Sequence, residues 1–248
     1  MKRYNLIMSV MSCNLGEIVK DRQVGKEYED EFCSKDKEYN PSMQQAFDIS
    51  AKDRAYYALK MRLLAYREEL EEAHNSFNLG GLLFNIPFKK ISQDFTTLDK
   101  QDKIYAGLGY DSEVIEQLGR VFGKLDLNNS YFINTDAAIA NGLLVILNHI
   151  SDYTTTLVNY YLNGEKLVKI KVNKDEVRIN EIYFYLEEFI NLRKVCISNI
   201  KSHIALLESR ITREAVLSGM KEITNNEGEI GQEISLMGKI AVTIWSLS

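Results

Sequence analysis

VRINEIYFYLEEFINLRKVCISNIKSHIALLESRITREAVL, residues 177–217, carries the most sustained pattern in the chain. Val177, Ile182, Leu186, Phe189, Cys196, Ile200, Ile204, Leu207, Ile211 and Leu217 keep a near-heptad spacing. That spacing lines apolar side chains along one face of a helix, whereas a strand would alternate every second residue. It predicts one long helix that starts near Asn173 or Lys174 and ends at Asn225-Asn226-Glu227-Gly228. A helix with one apolar stripe needs other helices to cover it, so the pattern implies an all-α bundle.

The neighbouring segments supply those helices. Ile230, Ile234, Met237, Ile240, Ile244 and Trp245 mark a last helix. Upstream, Leu167–Val172 (LVKIKV) alternates briefly like a strand but has no partner strand. It reads as an extended linker or a helix start after the Asn163-Gly164 turn. Thr135 or Asp136 caps a helix with Ile139, Leu143, Ile146, Leu147, Ile150, Tyr153 and Leu157 inward. Asp111 caps a shorter one with Val114, Ile115, Leu118, Val121, Phe122 and Leu125 inward. Thr97-Leu98-Asp99 opens another through Ile104 and Leu108, stopped by Gly109. Residues 82–95, apolar but broken by Pro87, read as a buried connection with one short helix. From Ser50 to about His74, Ala55, Leu59, Arg62, Leu63, Tyr66 and Leu70 recur at helical steps. Arg67, Glu68, Glu69, Glu71 and Glu72 form the outer face. The expectation is a bundle of about five or six helices over residues 41–248, with a flexible N-terminal tether.

Composition agrees. The 248 residues are 45% hydrophobic and 26% charged, enough for a packed core, and only two prolines and fourteen glycines are available for turns. A many-stranded sandwich or barrel would need far more turn chemistry. The net charge of −5 carries no basic excess for nucleic acid, and no apolar run reaches the length of a membrane span.

The N-terminus, MKRYNLIMSVMSC, has its own grammar. Lys2 and Arg3 precede an apolar segment (Leu6, Ile7, Met8, Val10, Met11), and Ser12 precedes Cys13. A positive start, an apolar stretch and a small residue define a secretory signal. A cysteine directly after the small residue makes it a lipoprotein signal, with residues 1–12 removed and Cys13 acylated. The other reading is a cytosolic start followed by a chance cysteine, since the segment is short. Several acyl chains on Cys13 would anchor the protein to a membrane without a spanning helix. Residues 13–40 are dense in both charge signs and show no sustained apolar period. They read as a solvated tether, or else as a frayed helix leading into the bundle.

Residues 98–125, LDKQDKIYAGLGYDSEVIEQLGRVFGKL, add a resemblance. Ile104-Tyr105-Ala106, Leu108-Gly109-Tyr110-Asp111 and the Val114/Ile115/Leu118 ladder resemble a helix–turn–helix segment of the plasmid-encoded repeat-domain surface lipoproteins of relapsing-fever Borrelia. The leader, with Val10-Met11-Ser12-Cys13 as a loose spirochaetal lipid signal, and the Lys/Asn/Ile-rich composition look like the same lineage. The resemblance covers about thirty residues plus the leader. It implies a lipid-anchored helical protein of the cell outer membrane, with Cys13 at the family's lipid site. Family members are larger and carry several copies of the domain, whereas one copy is visible in this chain.

Chemistry-bearing residues form no familiar constellation. Cys13, Cys33 and Cys196 contain no Cys-x-x-Cys pair; Cys33 and Cys196 either pair after export or leave Cys196 as a buried free thiol. His74, His149 and His203 are far apart, and His149 and His203 fall on inner or boundary helix faces. Asp126, Asn128, Ser130 and Asn134 miss the calcium-loop pattern, with Tyr131 where glycine and Ala137 where glutamate is required. No dinucleotide, phosphate-loop or nucleophile-elbow pattern occurs. The expectation is therefore no enzyme, no cofactor, no metal and no small-molecule substrate. Fourteen tyrosines, with clusters at Tyr56-Tyr57, Tyr160-Tyr161 and Tyr183/Tyr185, suit either an interface or the packing of bundle edges. The function expected is a lipid-anchored outer-surface protein presenting a helical face to a host or envelope protein. The alternative is a structural or periplasmic lipoprotein with no extracellular ligand.

Overall fold

Ser50 starts the first helix: its hydroxyl accepts from the Asp53 amide at 3.0 Å and donates to the Asp53 carboxylate at 2.7 Å. Helix α1 then runs Ala51–Asn78. The computed structural model describes residues 49–78, 85–128 and 135–248. The signal (1–12), the tether (13–40), Cys13, Cys33, Ser130 and Asn134 lie outside the described residues.

Two short elements follow: α2, Phe88–Ile91, and a single 3₁₀ turn, Gln93–Phe95. Phe88, Ile91 and Phe95 are all buried, so the expected buried connection is present. Thr97 caps α3 (Leu98–Gly107) and Asp111 caps α4 (Ser112–Phe122) through the Val114 amide at 3.2 Å. Between them the chain turns through Gly109 and Tyr110 at φ 68° and 59°. Glycine adopts that left-handed region freely; Tyr110 is held there with its hydroxyl donating to Asp102 at 3.0 Å.

Helix α5 (Asp136–Thr156) is capped by Thr135, not Asp136, and widens into a π-helical turn at Leu157–Tyr161. Asn163 caps α6, Gly164–Asn173. The strand-like alternation of Leu167–Val172 is therefore a helix, with Leu167 and Ile170 buried at a three-residue step.

The expected single helix to Asn225 is two helices. Helix α7 spans Glu176–Ser209, the chain turns through 210–212, and α8 spans Arg213–Ile223 before α9, Glu229–Leu247. Thr212 caps α8 by accepting from the Ala215 amide at 3.2 Å, and the Arg210 guanidinium donates to Ala215 O at 2.5 Å. Lys124 donates to Glu208 O and Arg210 O, so the last carbonyls of α7 and its turn are satisfied from outside the helix. Ile211, read as a core position, is exposed in that turn.

Nine α-helices and no strand make up the described residues, which is the all-α bundle of the sequence reading. Helix α7 is central, with α1, α4, α8 and α9 packed along it; α5 is the second axis, carrying α3 and part of α9. Ile182, Leu186, Phe189, Cys196, Ile200 and Ile204 are fully buried, so this part of the near-heptad face is the core, whereas Val177, in the first turn of α7, is exposed. Helices α3 and α5 meet backbone to backbone at Gly107, where an added Cβ would stand 2.3 Å from Leu147 O.

Candidate functional site

The tyrosine clusters divide on inspection. Tyr56 is buried and meets Tyr57 edge-on at 5.7 Å between ring centres. Tyr57 is exposed, and Lys171 of α6 stands over both rings at 5.2 and 5.3 Å. Tyr183 and Tyr185 pack partly against the core from α7. Tyr160 and Tyr161 sit in the π-helical turn. Tyr160 is 64% exposed, and the Tyr161 ring lies 6.2 Å from that of Trp245, itself 54% exposed at the end of α9.

Those last residues belong to a seam. Gly238 of α9 faces the Tyr153 ring of α5, where an added Cβ would stand 3.1 Å from it. Val242 and Trp245 follow on the same flank of α9 and are both exposed. One turn before Tyr153, the His149 ring stacks on it at 5.9 Å and 15°. An aromatic strip thus runs along the junction of α5 and α9 and ends at the Tyr161–Trp245 pair. Trp245, one of the apolar residues that mark the last helix, lies beyond the buried sector marked by Met237 and Ile244.

Arg67 was expected on the outer face of α1. It reaches inward instead and donates through Nη2 to Val158 O at 2.7 Å and Leu162 O at 3.1 Å. A π-helical turn frees carbonyls from the regular ladder, and a guanidinium satisfies two of them at once. Arg67 therefore fixes the turn that sends Tyr160 outward while Leu157, Val158 and Leu162 stay buried. Its neighbours Glu68, Glu69, Glu71 and Glu72 are exposed, as the charge pattern implied.

The histidines do not converge. His74 lies beside Tyr110, ring centres 5.0 Å apart, and 3.5 Å from Asp102. His149 is exposed rather than inward, and His203 is half-buried. No group of three or more His, Cys, Asp or Glu residues able to hold a metal occurs among the described residues.

Cys196 is free and buried. Burial, with the Glu233 carboxylate beside it, pushes its thiol up to about 12. Glu233 also accepts from Asn199 Nδ2 at 2.8 Å, and burial raises its own carboxyl above the usual range. A thiol held protonated is a poor nucleophile, so this cluster knits α7 to α9 without supplying reactive sulfur.

An open groove of ≈ 800 Å³ lies between α5 and α8, floored by Ala138, Ile139 and Gly142 and rimmed by Ser218, Lys221 and Glu222. Among the described residues no helix is long and apolar enough to cross a membrane. No family model matches the chain, and comparison with curated proteins gives no match either.

Proposed function

We propose that this chain is a lipid-anchored protein of the cell outer membrane that binds a host or envelope protein through a helical face, without catalysis, cofactor or small-molecule substrate. Cys13 is the lipid attachment site in this reading, on the strength of Lys2-Arg3, the apolar stretch and Ser12. The resemblance of residues 98–125 to the relapsing-fever Borrelia surface lipoproteins supports the same placement.

The exposed Trp245, with its ring against half-buried Tyr161, carries the binding reading. Large aromatic rings with a wet edge are the side chains most often found at the centre of protein interfaces, because they bury much area at little entropic loss. Tyr160, Val242 and Trp245 form such a group at the end of the α5–α9 seam.

Host serum passed over the immobilised full chain carrying Cys13→Ser tests this. A retained protein should resist EDTA and survive His74→Ala, His149→Ala and His203→Ala. Tyr160→Ser with Trp245→Ser should weaken its binding about thirtyfold, the loss of an anchor of about 2 kcal/mol. Metal-dependent turnover abolished by a histidine change would replace the reading with an enzyme. Palmitate labelling of wild type but not of Cys13→Ser checks the anchor, and protease treatment of intact cells separates a surface protein from a periplasmic one.

A further inference from the structure

Helix α6 is short, exposed and unlike the rest of an acidic chain. Between Gly164 and Lys174 it carries Lys166, Lys169, Lys171 and Lys174 against the single Glu165. Its outward face presents Val168, 60% exposed, and Val172, 69% exposed, one helical turn apart with Lys169 beside them. The two valines therefore make an exposed apolar pair with a lysine beside it.

The patch extends onto the start of α1. Lys52 Nζ donates to Val172 O at 3.2 Å, Lys171 lies 3.8 Å from Asp53, and Lys171 also covers the exposed Tyr57 ring. Ile49 and Ser50, where the described part of the chain begins, lead directly into this edge through Ser50–Asp53 and the Arg54 bond to Ile49 O at 2.6 Å. A chain anchored through Cys13 therefore enters its bundle beside the lysine-rich helix.

The geometry points to the α6–α1 edge as a docking surface for an anionic lipid bilayer, with Val168, Val172 and Tyr57 entering the headgroup boundary and Lys52, Lys169 and Lys171 meeting lipid phosphates. Charge complementarity selects lipid: in a protein of net charge −5, residues 164–174 hold four lysines against one glutamate, beside the point where the described chain begins. Lysine stems lie along apolar surface while their ammonium groups reach phosphate, which suits this mixture of valine and lysine. The argument from the anchored end rests on the lipoprotein reading; the test does not.

The full chain carrying Cys13→Ser, which has no acylation site at that position, is sedimented with vesicles of phosphatidylcholine containing phosphatidylglycerol and with phosphatidylcholine alone. Binding should favour the anionic vesicles and fall as salt is raised. Lys169→Glu should weaken it roughly twenty-five-fold, two charge steps of about fivefold each. Val168→Ser with Val172→Ser should weaken it several-fold at unchanged charge and unchanged helical circular dichroism. Lys89→Glu with Lys90→Glu, on the exposed part of α2, should leave it intact. Equal binding to both vesicle types, or no loss in either α6 variant, would overturn the inference. So would a loss in the α2 variant as large as in Lys169→Glu, which would mean bulk charge attraction. Failure of palmitate labelling would remove the Cys13 anchor and leave the vesicle result standing.

Discussion

Asp136 and Arg213, 77 positions apart, form a two-point ion pair: Nε meets Oδ2 at 2.6 Å and Nη2 meets Oδ1 at 2.5 Å. The Asp126 amide donates to the same carboxylate at 2.7 Å. One buried carboxylate at the first residue of α5 thus holds the first residue of α8 and the chain leaving α4. It also marks the break after α7: Arg213 reaches Asp136 from the start of a new helix, not from the end of the old one.

Asp136→Ala should destabilise the bundle by about 2–3 kcal/mol, because a 3% exposed charge loses three hydrogen bonds and strands a donor amide. Burial alone would raise the Asp136 carboxyl, but the Arg213 guanidinium and the Asp126 amide outweigh it and hold the group below the ordinary carboxylate range. The stabilisation is therefore present above the unfolded value and disappears as pH falls through the lowered native one. Melting temperature followed into acid should fall more steeply for wild type than for Asp136→Asn. Parallel curves would sink the assignment.

Gly107→Ala should cost more than a surface change. The new methyl would overlap the Leu147 backbone, which no side-chain rotation relieves, so α3 and α5 must separate. A loss of roughly 1–3 kcal/mol or more is expected in urea unfolding. The neighbouring Ala106→Gly change lowers helix propensity and removes one half-buried methyl without any clash, and should stay at about 1 kcal/mol. Equal losses at the two positions would show that the helices do not touch there.

Glu233→Gln should stabilise the protein at neutral pH and lose that advantage in acid. The native carboxyl is raised, chiefly by burial, so the native state binds a proton that the unfolded chain has already released. Stability then falls as pH rises from the unfolded carboxylate value through the raised native one, and an amide removes that slope. Chemical denaturation on both sides of this window reads the difference. In Cys13→Ser/Cys33→Ser protein, Cys196 should also react with a thiol reagent only on unfolding.

How much of this was legible depends on whether the signal was local. The cap at Asp111, the helix start at Thr97 and the choice of Thr135 or Asp136 as a cap follow from short-range spacing, as do the buried faces of α4, α7 and α9. The break at 210–212 is hidden because Ile211 follows Leu207 at a four-residue helical step that runs into the turn. Thr212 was the available sign, a cap residue directly before a helix with Glu214 in its first turn. LVKIKV leaves linker and helix start open because so short an alternation also fits one helical turn, and the helix is the outcome. Arg67 and Gly107 were not legible at all. Both serve elements about forty or more positions away, Val158 and Leu147, and no window of sequence contains both partners.

The wide turn at Leu157–Tyr161 has a consequence for helical register. One residue added to a continuous helix rotates every later position by about 100° and would carry an apolar stripe off its core. Here five residues take up the extra length, Arg67 ties off the loosened carbonyls, and α6 begins afresh at its own cap, Asn163. The extra length of this turn is taken up locally, so the stripe of α5 and the buried face of α6 each keep their own register. The end of the aromatic seam and the start of the lysine-rich helix both lie at this turn.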